Sequence, residues 1–287
     1  MRILHLSDTH LDRNGAPDAD GADGTAALRI LLDGLGHLDG IGAVLVTGDV
    51  ADDGSREAYA RTHELLTAYA GPRGAGVFYA VGNHDDRAAF ADVLGCGHAA
   101  PDAVYDGPGG ERAAASTVGG HRLVTLDSLV PGKGYGHLSA GQLDWLRGLL
   151  AAPAPHGTVL AFHHPPLALP GVEVQRVFGL HNAAELAAAI DGTDVHLVLC
   201  GHFHLQLTGR LGPATVWVTP GVVSRIDLTA APGTERAVHG PSATLVDLAA
   251  PYGPLLHTLH APDPRAGTTV YEAGAAEMSE VLARLGP

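Results

Sequence analysis

Val77-Phe78-Tyr79-Ala80-Val81-Gly82-Asn83-His84-Asp85 reads as two devices joined end to end. The first five residues form an uninterrupted apolar run with β-branched and aromatic members, the pattern of a strand buried on both faces. Gly82 ends the run, and three side chains able to bind metal or move protons follow at once. A given tetrapeptide such as Gly-Asn-His-Asp occurs by chance in well under about 1% of chains of this length. Alone, it would still pass as a turn or a helix cap.

The same junction recurs on both sides of it. Ile3-Leu4-His5-Leu6 leads into Asp8-Thr9-His10, and Ala43-Val44-Leu45-Val46 into Gly48-Asp49. Thr158-Val159-Leu160-Ala161-Phe162 leads into His163-His164-Pro165-Pro166. Val195 to Cys200 leads into Gly201-His202-Phe203-His204. Helical patterns lie between these runs: Leu28, Leu31, Leu32, Leu35 and Leu38 on one face, then Ser55 to about Tyr69, and Arg87 to Leu94. Ser139 with Gln142 forms a capping box, and Asn182 with Glu185 opens a further helix. Alternating strands and helices predict an α/β fold, in which ligands gather beyond the carboxyl ends of the strands.

Arg122 to Asp127, Thr215 to Thr219 and Ala243 to Leu248 read as additional strands separated by Gly and Pro, expected to make a second sheet packed on the first. The expected architecture is two facing mixed sheets flanked by helices, a four-layer sandwich. The expected organisation is one domain over residues 1–262, followed by a tail, 263–287, that is helical from Ala275 to Leu285.

The 287 residues are 46% hydrophobic, enough for a sizeable core. Seventeen basic against 31 acidic residues give a net charge of −14, and Lys133 is the only lysine. That balance disfavours nucleic acid and anionic membranes, which need clustered Lys and Arg. No apolar stretch approaches the length of a membrane span, and the N-terminus is unlike a signal peptide. Cys96 and Cys200 cannot build a disulfide framework. A cytoplasmic protein is expected, and a homo-oligomer is compatible with the composition. The 18 histidines outnumber all Lys and Arg together, which suggests metal ligation through nitrogen and oxygen.

Taken in order, Asp8-x-His10, Gly48-Asp49, Gly82-Asn83-His84-Asp85, His163-His164-Pro165 and Gly201-His202-x-His204 resemble the calcineurin-like metallophosphoesterases. Within that family they most resemble the bacterial class III cyclic nucleotide phosphodiesterases and related glycerophosphodiesterases. The resemblance covers roughly residues 1–228. It implies a binuclear centre in which Asp8, His10, Asp49 and His204 hold one metal and Asp49, Asn83, His163 and His202 the other. Oxygen and nitrogen donors suit Mn²⁺ or Fe, with Zn²⁺ or Co²⁺ also acceptable. The implied reaction is attack of a metal-activated hydroxide on a phosphodiester, with His84 outside the metal shell protonating the leaving oxygen.

On the same resemblance the expected substrate is 3′,5′-cyclic AMP. A glycerophosphodiester or a 2′,3′-cyclic nucleotide is the alternative, and an inactive scaffold of the same fold is the competing class. A scaffold predicts missing ligands, yet all seven positions hold ligand-capable residues. A nucleobase needs an apolar wall; with aromatics at 5%, the candidates near the motifs are Phe203, Tyr135 and Phe178. Among the neighbours, Asp52 and Asp85 are expected to cap the following helix, with orientation of ligands as the alternative. His164 is expected to point away from the centre by strand alternation, with support of a ligand as the alternative. His5 and His196 read as core residues, whereas His137 and His181 lie in loops that can reach the pocket mouth.

Overall fold

The structure, a computed structural model, describes residues 1–18 and 20–287. Two sheets face each other. The first has five strands in the order β14 (Leu255–His260), β13 (Ser242–Asp247), β1 (Arg2–Leu6), β2 (Ile41–Thr47) and β3 (Gly76–Ala80). The second has seven: β4 (Ala103–Asp106), β5 (Arg112–Val118), β6 (His121–Thr125), β7 (Thr158–Ala161), β8 (Val195–Cys200), β10 (Ala214–Val218) and β9 (Leu207–Leu211).

Strand alternation explains why the motif strands read as continuous apolar runs. Ile3, Ala43, Leu45, Leu123, Val159, Ala161, Leu197 and Leu199 fill the layer between the sheets. Their neighbours Leu4, Leu6, Val44 and Val46 face the other way, onto α1 (Gly24–Gly34), α2 (Arg56–Ala70) and α3 (Arg87–Leu94). Val124, Leu160, Val198 and Cys200 face α4 (Ala140–Leu150) and α6 (Ala183–Ile190). The result is the expected four layers. At roughly 1.5–3 kcal/mol per buried large apolar side chain, these three apolar layers are the main driving term for the fold.

The strands divide between the sheets differently from expectation. Arg122–Asp127 and Thr215–Thr219 do not form a separate sheet: β6 and β10 flank the motif strands β7 and β8 in parallel. Only the segment Ala243–Leu248 moves to the other side, where β13 runs antiparallel to β1. The motif strands are therefore shared, β1, β2 and β3 in one sheet and β7 and β8 in the other. Their carboxyl ends meet at one edge of the sandwich.

Helix starts follow local chemistry. Asp23, Ser55, Asp86 and Ser139 each accept a hydrogen bond from the backbone two or three residues into α1 to α4. Asn182 departs from this: its side chain bridges the Leu138 backbone in both directions and reaches Glu185, and does not cap α6. A short helix α5 (Glu173–Phe178) precedes it. Near the C-terminus β11 (Arg225–Ile226), β12 (Glu235–Val238) and β15 (Thr269–Ala273) make a three-stranded sheet, followed by α7 (Ala275–Leu285). Among the described residues no helix is long and apolar enough to cross a membrane.

Candidate functional site

All eight residues singled out in the sequence come together where the two sheets meet. Asp8 and His10 follow β1, Asp49 follows β2, Asn83 and His84 follow β3, His163 follows β7, and His202 and His204 follow β8. Asp8, His10, Asp49, His202 and His204 have φ of 56°, 44°, 48°, 71° and 49°. Among the described residues they are the only non-glycine residues in the left-handed region. Such backbone costs about 1–3 kcal/mol per residue and persists only where the surrounding structure over-determines it, as is common at functional sites. The preceding glycines keep the approach open. A Cβ on Gly82 would run into the Asp49 carboxylate, and one on Gly48 would meet the His163 ring at 2.6 Å.

Asp8 and Asp49 are buried carboxylates at the centre. Asp8 accepts the His202 backbone N–H at 2.9 Å and lies 3.3 Å from His204 Nε2. Asp49 Oδ1 accepts the His84 N–H at 2.9 Å, leaving Oδ2 3.2 Å from His163 Nε2 and 3.5 Å from His10 Nε2. Burial alone would raise both carboxyl pKa values. The adjacent imidazoles, His204 at Asp8 and His163 at Asp49, outweigh it and hold both below the usual range.

Outside the centre, three of the imidazoles are tethered through their other nitrogen. Nδ1 of His163 meets the Thr47 carbonyl at 2.7 Å, Nδ1 of His10 meets Asp52 Oδ1 at 2.9 Å, and Nδ1 of His204 meets Ser224 Oγ at 3.0 Å. A carbonyl and a carboxylate only accept, so in neutral rings they keep the proton on Nδ1 and turn the Nε2 lone pair inward. This is the orientation of metal-binding histidines.

His163 Nε2 then faces Asp49 Oδ2 at 3.2 Å, Asn83 Oδ1 at 3.2 Å and His202 Nδ1 at 3.1 Å. One nitrogen proton at most is available for three acceptors. His10 Nε2 is buried with no hydrogen-bond partner at all. Buried acceptors without donors are costly, and cations at the same place would satisfy them. Four overlapping groups have their ligand atoms within 4.8 Å of one another: Asp8–His10–His204, Asp8–Asp49–His163, His10–Asp49–His84 and His163–His164–His202. The donor set contains oxygen and nitrogen only, and it fits metal ions.

Three neighbours differ from expectation. Asp52 caps no helix; it holds both His10 and His84, the latter at 3.3 Å from Nδ1. Asp85 leaves the cap of α3 to Asp86 and accepts the backbone N–H groups of Val50, Ala51 and Gly82, tying the loop after β2 to the loop after β3. His164 does not point away. β7 ends at Ala161, so strand alternation no longer applies three residues later, and the His164 ring lies 4.6 Å from that of His202. Its Nδ1 bonds Ser128 Oγ at 2.8 Å, while Nε2 is buried without a partner. Two adjacent histidines after a strand were a signal of this that the alternation rule concealed.

His84 is the open member, with a 43% exposed side chain. Partial burial lowers its pKa, but Asp49 and Asp52 outweigh that and raise it to about 10. Asn83 and His84 line two chambers at once. One, of about 750 Å³, is bounded by charged residues including Asp53, Asp86, Arg87 and Arg112. The other, of about 570 Å³, adds His202 and His204 and carries most of the apolar side chains, with Phe178 and Phe203 among them. Tyr135 is taken up elsewhere, stacked 4.2 Å from His181. Neither His137 nor His181 lines either chamber. His5 sits in the core, bonded to Thr47 at 2.9 Å.

Residues 1–206 match the family model of the calcineurin-like phosphoesterases. A probable cyclic nucleotide phosphodiesterase of Rhodococcus erythropolis is 37% identical over 243 residues, 83% of this chain and 76% of that protein. A cAMP/cGMP dual specificity phosphodiesterase of Mycobacterium tuberculosis is 36% identical over 244 residues, 83% of this chain and 72% of its own. Among solved structures, a purple acid phosphatase from yellow lupin seeds superposes with a TM-score of 0.55 at 14% identity, over 97% of this chain and 55% of that one. That last likeness is one of fold.

Proposed function

The chain belongs to the calcineurin-like phosphoesterase family, and from that premise we propose that it is a metal-dependent phosphodiesterase that opens 3′,5′-cyclic nucleotides, with cyclic AMP converted to AMP. The observation that carries the reading is the surplus of inward acceptors around His163 Nε2, which calls for cations at the end of the strands. We assign Asp8, His10, Asp49 and His204 to one metal and Asp49, Asn83, His163 and His202 to the other. The all-oxygen-and-nitrogen set favours Mn²⁺ or Fe, with Zn²⁺ or Co²⁺ as substitutes. Bound there, two cations supply a water of lowered pKa and neutralise charge on the phosphoryl oxygens.

The chain's own residues do the rest. Asp49 is held rigid by the His84 N–H, so its free oxygen stays aimed at the centre. Asp52 engages Nδ1 of His84 and leaves Nε2 for the substrate, placing the proton where the leaving ribose oxygen departs. The chain is acidic and nearly lysine-free, which supports a small-molecule substrate over a nucleic acid. The cytoplasm is the proposed compartment, supported by two cysteines left as thiols. We take residues 1–262 as one domain, because β13 and β14 complete the first sheet well past residue 206.

Rates on cyclic AMP, 2′,3′-cyclic AMP, bis(p-nitrophenyl) phosphate and glycerophosphocholine, with metal content measured on the same sample, test this. The expected order puts 3′,5′-cyclic AMP first. Exclusive turnover of glycerophosphocholine would replace the nucleotide reading.

A further inference from the structure

The 570 Å³ chamber is lined in part by the C-terminal segment, which the metal centre does not use. Tyr271 of β15 and Met278 and Val281 of α7 line it together with Phe178 and Phe203. The segment is firmly attached. β15 pairs antiparallel with β12, the Gly134 N–H donates to the Leu285 carbonyl at 3.0 Å, and Lys133 donates to the Gly286 carbonyl. The Tyr271 hydroxyl donates to Glu235 Oε1 at 2.8 Å, which fixes the ring. Leu228, at the rim, is 51% exposed although large and apolar.

A phosphodiester seated at His84, His202 and His204 has these two chambers to direct its ester groups into. The larger one presents Asp53, Asp86, Arg87, Asp92 and Arg112, a surface that favours water over a flat heteroaromatic ring. The smaller one also carries charged residues, Asp20, Glu235, Glu272, Glu277 and Arg284. It adds to them two phenylalanines, a tyrosine, a methionine and several aliphatic residues, within the volume range of small-ligand sites. An aromatic base gains from such walls through burial and stacking. We propose, on the cyclic-nucleotide reading above, that the C-terminal segment is the specificity wall of this enzyme. In this assignment Tyr271 and Leu228 contact the nucleobase, Glu235 positions Tyr271, and the base lies in the chamber under α7.

The test uses full-length protein, with cyclic AMP and a 3′,5′-cyclic ribofuranose phosphate lacking the base, which has the same reacting atoms. Tyr271→Ala is expected to raise KM for cyclic AMP about 5- to 100-fold, the range for loss of one base–aromatic stack. Its kcat and metal content should stay within about twofold, and KM for the abasic ester should not move. Tyr271→Phe keeps the stacking ring and loses only the Glu235 tether, so its KM should lie between wild type and Tyr271→Ala. Leu228→Ser, at an exposed position with little bearing on folding, should raise KM for cyclic AMP in the same selective way. An unchanged KM for cyclic AMP in both Tyr271→Ala and Leu228→Ser overturns the assignment, as does an equal rise for both esters. Wild-type protein that turns over neither cyclic ester overturns the nucleotide reading itself, and the two failures are told apart by the parent enzyme alone.

Discussion

His202 Nδ1 and His163 Nε2 face each other at 3.1 Å, and acceptor oxygens of Asn83, Asp49 and Asp8 lie 3.2, 3.2 and 3.9 Å from that His163 nitrogen. The Nδ1 proton of His163 is drawn outward by the Thr47 carbonyl. Burial lowers the His163 pKa, but Asp49 outweighs it and raises it to about 9. Burial together with the adjacent His163 lowers that of His202 to about 3. A cation there would take the place of the His163 proton among converging lone pairs. The arrangement is built for cations.

Metal content follows first. Purified protein should carry two transition-metal ions per chain and be activated by Mn²⁺, and Asp49→Ala should lose metal and activity together. Elemental analysis beside a rate assay checks this. Full activity after exhaustive chelation would exclude the assignment.

Asp52 should matter although it is proposed to touch neither metal nor substrate. It holds His10 Nδ1 at 2.9 Å and His84 Nδ1 at 3.3 Å, so Asp52→Ala frees two rings at once. The expected loss is about 10- to 100-fold in metal affinity or turnover, the usual effect of removing such an orienting partner. Competition titration with a chelating dye separates it from a change in folding, which a melting curve would register.

His84→Ala should keep near-normal metal content while kcat on cyclic AMP falls by roughly 10²- to 10⁴-fold, the contribution of a positioned acid. The loss should shrink with bis(p-nitrophenyl) phosphate, whose leaving group needs little protonation. Loss of one metal, or equal slowing of both substrates, would make His84 a ligand or a structural residue.

His98 predicts a pH dependence of stability remote from the metal centre. Buried between Ser116 and Thr125, at 2.8 and 3.0 Å, it has its pKa lowered by burial to about 4. Above pH 6.5 the ring is neutral folded or unfolded and contributes no slope. Between about 6.5 and 4 only the unfolded chain binds the proton, so stability falls as pH drops, by on the order of 3 kcal/mol at most. Urea unfolding across this window should show a flatter profile for His98→Gln than for wild type; parallel profiles would refute it.

How much of this was legible from the sequence differs by element. The motif strands, the helix over Arg87–Leu94 and the helix over Ala275–Leu285 follow from apolar periodicity and capping, which are local properties. Local reasoning failed wherever a side chain reached outside its own segment. Asp52, Asp85 and Asn182 are good capping residues by type, yet each bonds to a partner brought in by another loop. Strand alternation does not reach His164, because β7 ends at Ala161, three residues before it.

The sequence by itself determined which residues stand at the ends of buried strands, because five continuous apolar runs each give way at once to Asp, Asn or His, three of them through a glycine. It also determined their chemistry, since donor atoms belong to residue types. The tertiary structure alone decided which strands share a sheet and which nitrogen of each imidazole turns inward. It alone brought Tyr271, 69 residues beyond His202, to the wall of the same chamber. Those outcomes depend on contacts between segments far apart in the chain, and neither hydrophobic period nor residue spacing encodes them.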